Sequence, residues 1–178
     1  MEKSSNYVKA AILFAAVFAF RLLPFRAPNV EPILASAMPL GKRSGALVSG
    51  LFAALSIVAY DAVTSGWGSW TAVTAISYAI VAFGAGLYFK NRAASRLNFI
   101  GYSVVGVLFY DAVTGLLPGP ILDGQPLSVA FTGQIPFTIL HLLGAVAFAA
   151  LVSPALYRWL ESSRVFSMAR TPSMVTGV

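Results

Sequence analysis

The sequence predicts an all-α membrane protein with six transmembrane helices and both termini on the cytoplasmic side. Three observations carry that prediction. The chain is 58% hydrophobic and only 10% charged, against roughly 25% charged in a soluble domain. Its apolar residues fall into long runs separated by short basic or Pro/Gly-rich turns. Ten of its twelve Lys and Arg residues lie in segments that six crossings bring to one side, which the positive-inside rule makes cytoplasmic. The 178 residues form a single domain, multi-pass in the cell (plasma) membrane.

The first span covers about 7–24, preceded by Lys3 and Lys9. It could pass for a signal peptide, but the A-x-A site at 35–37 lies too far beyond the apolar run. Arg21, Pro24, Arg26, Pro28, Glu31 and Pro32 then break the helix. Residues 30–60 do not fit one straight span, because Lys42 and Arg43 would sit near the bilayer centre. They divide into a short helix, 30–41, and a longer one, 45–60. The fourth span covers 69–89, and Lys90, Arg92 and Arg96 form the next basic loop. The fifth covers 97–114. Residues 115–132 form the longest loop, rich in Gly and Pro and free of Lys and Arg. The sixth span, 133–160, contains Pro136 and Pro154. If the short second helix did not cross, every later basic loop would change sides, so the charges argue for six crossings.

Composition excludes several classes of function. The chain has no Cys, hence no disulfide or thiolate metal site. The charge of +6 resides in short loops, which speaks for topology and not for nucleic acid. There is no phosphate-binding loop, so ATP-driven work would come from another chain. No catalytic constellation marks an enzyme, no metal-ligand spacing occurs, and no cofactor is expected.

One phrase organises the polar residues. Tyr60-Asp61-Ala62-Val63-Thr64 returns as Tyr110-Asp111-Ala112-Val113-Thr114, each copy closing an apolar run before a Gly-rich turn. An Asp at the mouth of an apolar helix is costly without water, a partner or a ligand. Two in matching places suggest two helix ends facing one site; the plainer reading is that both mark helix exits. Six crossings place Arg21, Asn29, Glu31, Asp61, Asp111 and Asp123 at the outer end, with Tyr60, Trp67, Trp70 and Tyr110. The Trp residues serve either as interfacial anchors or as a stacking wall for a flat, cationic or hydrogen-bond-donating ligand. Arg21 could pair with Glu31 or hold an anionic group. His141, near Gln134 and Thr138, joins the candidate site, although a lone His in a membrane helix is more often a packing residue. The expected substrate-binding set is thus Asn29, Glu31, Asp61, Trp67, Trp70, Tyr110, Asp111 and His141, with 115–132 as a lid.

Ala11, Ala15 and Ala19 share one face of the first helix, and small residues at that spacing allow close approach of another helix in lipid. With Pro28-Asn29-Val30-Glu31-Pro32 and the Ala/Gly-rich run from Gly45 to Asp61 before Gly66-Trp67-Gly68, this makes the chain resemble the substrate-binding membrane subunit, or S component, of energy-coupling factor (ECF) transporters. The resemblance spans nearly the whole chain. It implies a subunit of an ATP-driven uptake transporter that captures a vitamin-like small molecule in an outward-facing pocket. It also implies partners, a transmembrane coupling subunit and an ATPase pair, with the alanine face as the docking surface and membrane lipid around the rest. The chain lacks the Met-His start of the cobalt and nickel members, so those metals are not expected. It also carries no complete signature for any one vitamin. The alternative is a non-transport structural or accessory subunit of a larger membrane complex.

Overall fold

A computed structural model describes residues 2–25, 30–64 and 66–162. Seven helices follow in order: α1 Glu2–Arg21, α2 Ile33–Ser44, α3 Ala46–Val63, α4 Ser69–Lys90, α5 Arg96–Leu116, α6 Pro118–Leu122 and α7 Leu127–Glu161. The described residues contain no strand. Four segments are long and apolar enough to cross a membrane: Ala46–Val63, Ser69–Lys90, Arg96–Leu122 and Leu127–Glu161. The chain is therefore an all-α protein with the helices of a membrane protein. At 1.5 Å per residue, α7 is about 50 Å long, well beyond a hydrocarbon core of roughly 30 Å.

Two boundaries differ from the sequence reading. The segment 115–132 is not an open loop. Pro118 opens the short helix α6, as proline at a first helical position favours, and Leu127 already begins α7. Only 123–126 remain between them. The turn expected at residues 41–44 is instead the end of α2, and the reversal into α3 occurs at Gly45 alone. Its φ of 94° lies where a side chain would be strained.

The short helix α2 is the axis of the bundle. Residues 33–41 are all buried, and α1, α3, α4, α5 and α7 pack around them. Pro39 lacks the N–H that would bond Ala35 four residues back. The Ser153 hydroxyl of α7 donates to the Ala35 carbonyl instead, at 2.8 Å. On the other side Ser49 of α3 donates to the Ala37 carbonyl at 2.8 Å. Near the α2 C-terminus three backbones nearly touch: a Cβ on Gly86 would fall 2.3 Å from the Ala46 Cα, and one on Gly41 would fall 2.9 Å from the Gly86 Cα.

The two ends of the bundle differ in charge. At one end Lys9 is buried, 1% exposed. It donates to the last carbonyls of α7, Trp159 at 2.9 Å, Leu160 at 3.2 Å and Ser162. Lys42 reaches the Lys90 carbonyl at the same end. The acidic residues Glu31 and Asp61 gather with Arg21 at the opposite end. Ala11, Ala15 and Ala19 are all exposed, on the face of α1 turned away from the bundle.

Candidate functional site

At the acidic end, α1, α3, α4, α5 and α7 enclose a cavity of about 330 Å³ with the segment leading into α2. It is lined by Arg21, Glu31, Ile57, Asp61, Trp70, Thr74, Tyr78, Tyr110, Phe137 and His141. Helix geometry brings them together because each sits near the same level of its helix. Arg21 is the last residue of α1, Glu31 precedes α2, and Asp61 and Tyr110 lie near the C-terminal ends of α3 and α5. Gly144 lets α7 approach the Val30 backbone, where an added Cβ would meet the Val30 Cα at 3.3 Å.

A chain of polar contacts ties four segments together. The Tyr78 hydroxyl donates to Glu31 Oε1 at 2.5 Å and lies 3.4 Å from His141 Nε2. His141 Nδ1 lies 2.8 Å from Asp111 Oδ1. An ionised carboxylate only accepts, so Nδ1 carries the proton and donates to Asp111. The single proton of Tyr78 belongs to the much shorter bond with Glu31. His141 Nε2 faces the Tyr78 oxygen across that 3.4 Å and lies in the cavity lining. Asp111 is 2% exposed, and its second oxygen has no partner among the described residues.

Arg21 closes the other side. Its Nε is 3.5 Å from Glu31 Oε2, an ion pair too long for a hydrogen bond. Its guanidinium lies 4.2 Å above the Tyr60 ring. Arg21 is 7% exposed, and its Nε and Nη1 have no hydrogen-bond partner among the described residues. Asp61 Oδ2 accepts from the Thr71 hydroxyl at 2.6 Å, and the same Thr71 oxygen accepts from the Gly68 N–H at 3.3 Å. The aromatic walls are continuous: Tyr78 and Tyr110 lie 4.3 Å apart, and Tyr110 meets His141 edge-to-face at 5.6 Å.

The structure brings Glu31, Asp61, Trp70, Tyr110 and His141 of the expected set to this cavity. Asp111 stands behind His141 and faces a separate apolar crevice between α5 and α7. Trp67 stands outside, 74% exposed, with its indole N–H on the Val58 carbonyl at 3.1 Å. Asn29 lies outside the described residues. The repeated phrase folds alike in both copies: Thr64 and Thr114 each bond the carbonyl of their Tyr, at 2.8 and 2.9 Å. Beyond that the copies diverge. The first gives the cavity its Asp and the second its Tyr. Sequence reasoning missed Tyr78, with Ile57, Thr74 and Phe137; uncharged residues inside apolar helices carry no charge signal. Among the described residues no group of three His, Cys, Asp or Glu is placed to hold a metal ion.

No family model, curated protein or solved structure matches this chain.

Proposed function

We propose that this chain is the substrate-capture subunit of an ATP-driven uptake transporter of the ECF type, taking a vitamin-like small molecule from outside the plasma membrane. The observation that carries the reading is the cavity at the acidic end, with its buried Arg21 and His141 and half-buried Glu31 between aromatic walls. Buried ionisable groups in membrane helices are costly and belong to sites that use them. A volume of about 330 Å³ suits a small molecule. The basic end, with Lys9, Lys42 and Lys90, is the cytoplasmic one in this reading. Six helices then cross, α2 inside the protein and out of contact with lipid, and the cavity opens outward.

The exposed Ala11, Ala15 and Ala19 face is the docking surface for a transmembrane coupling subunit, which carries the ATPase pair. The test is mass spectrometry of whatever leaves the detergent-purified chain on denaturation, with identification of the chains that co-purify. A stoichiometric small molecule and an ATPase pair are expected. An empty chain held in a complex without ATPases would refute capture and favour an accessory subunit.

A further inference from the structure

The groups left open around the cavity describe what fills it. Arg21 is matched in charge by Glu31, yet its Nε and Nη1 make no hydrogen bond among the described residues. Its N–H groups call for an acceptor, and Glu31 has already supplied the negative charge, so a neutral carbonyl fits better than a second anion. Asp61 has the opposite surplus. One oxygen takes the Thr71 hydroxyl, and no cation lies within ion-pair range among the described residues. The His141 ring and Tyr110 add further polar atoms to the same lining. Trp70, Tyr78, Tyr110 and Phe137 provide flat faces. Summed over Arg21, Glu31 and Asp61, the lining is one negative charge in excess.

Resting on the capture reading above, we infer that the ligand is a planar nitrogen heterocycle, neutral or singly cationic, that turns a carbonyl oxygen to Arg21 and an N–H or cationic edge to Asp61. Ring faces stack between the aromatic walls, where a cation gains from their quadrupoles. Anions are rejected because Asp61 has no counter-charge to relieve the repulsion. Arg21 does not invert that preference, since an anion there competes with Glu31 for the same guanidinium.

Four probes on one ring test this: 1-methylnicotinamide, a cation with a carbonyl; nicotinamide, neutral with a carbonyl; nicotinate, an anion; and 1,3-dimethylpyridinium, a cation without the amide. Affinities for the full-length purified chain come from calorimetric titration in the millimolar range suited to such small fragments. The expected order is 1-methylnicotinamide first, then nicotinamide, with nicotinate about tenfold or more below nicotinamide. 1,3-Dimethylpyridinium should fall about tenfold below 1-methylnicotinamide, for want of the acceptor that Arg21 takes. Asp61→Asn, at the cavity mouth, should remove the advantage of cation over neutral probe while keeping the loss for the amide-free ring. Nicotinate binding as tightly as nicotinamide, equal affinity for the two cations, or no binding by any probe would each overturn the inference. A co-purified anionic solute would overturn it too while leaving capture intact. Absence of both solute and ATPase partners would remove capture itself, and the probe order would still decide the chemistry of the cavity.

Discussion

The bond from Tyr78 to Glu31 is the most exacting local test of this structure, because it joins the buried Tyr78 to a half-buried carboxylate on another segment. Tyr78→Phe removes one oxygen and keeps the ring, so the contact with Tyr110 at 4.3 Å survives and no large void opens. What is lost is a hydrogen bond of 2.5 Å to a carboxylate. In soluble proteins a bond to a charged group contributes about 1.5–3 kcal/mol. Between membrane helices the measured mean is only about 0.6 kcal/mol, with a maximum of about 1.7, because the unfolded chain in lipid also finds partners. The shortness of the bond and the 3% exposure of Tyr78 place it at the upper end, so a loss of about 1–2 kcal/mol is expected. Reversible unfolding in mixed micelles measures it. A double-mutant cycle with Glu31→Ala, which leaves no acceptor for the hydroxyl, isolates the pair, with a coupling of about 1 kcal/mol expected. A Tyr78→Phe protein within about 0.3 kcal/mol of the parent, with coupling near zero, would refute the polar chain as described.

Further outcomes follow from other parts of the fold. Gly86→Ala forces a Cβ against the Ala46 backbone and should cost about 1–3 kcal/mol, whereas Gly101→Ala meets nothing within 4 Å and should be neutral or stabilise by up to about 1 kcal/mol; the same unfolding assay ranks them. Lys9→Met keeps most of the stem but leaves the last carbonyls of α7 without their donor, so hydrogen exchange at 159–162 should accelerate and stability fall by about 1–3 kcal/mol. Single cysteines replacing Ser44 and Ser128 should be labelled from opposite sides of the membrane, the first only from the cytoplasm; labelling from one side would end the six-crossing proposal. Ala15→Leu adds bulk on an exposed face and should block assembly with a coupling subunit while leaving solute binding unchanged; normal assembly would move the docking surface elsewhere.

The helical class and the helices α3, α4 and α5 were legible because long apolar runs between charged or glycine-rich turns have few other solutions. The start of α7 was not, since Gly and Pro at 115–126 suggested a loop that α6 partly fills. Proline there opens helices as readily as it ends them. At the site, charge and repetition pointed to Glu31, Asp61 and Tyr110, residues that are conspicuous in an apolar sequence. Repetition misled for Asp111: the two copies share a backbone, but His141 approaches only the second, and nothing in a five-residue phrase says which helix will pack on it. Trp67 and Trp70 are three residues apart across the start of α4, and only the helix onset at Ser69 separates their fates.

The burial of α2 has a consequence for how the protein is made. Its sequence, with Ser36, Pro39, Gly41, Lys42 and Arg43 in twelve residues, is a weak signal for insertion on its own. Only Gly45 separates it from the strongly apolar α3, so the pair is built to enter lipid as one hairpin. Even then its centre stays incomplete, because the carbonyl freed by Pro39 waits for Ser153 in α7, more than a hundred residues later. A nascent chain that stops before α7 holds an unsatisfied carbonyl and a bare helix face in the membrane. Pulse-chase of chains ending at residue 126 should show rapid proteolysis, relieved only once Ser153 is present. Quality control of this protein is thereby tied to α7, which emerges from the ribosome after the helices it completes.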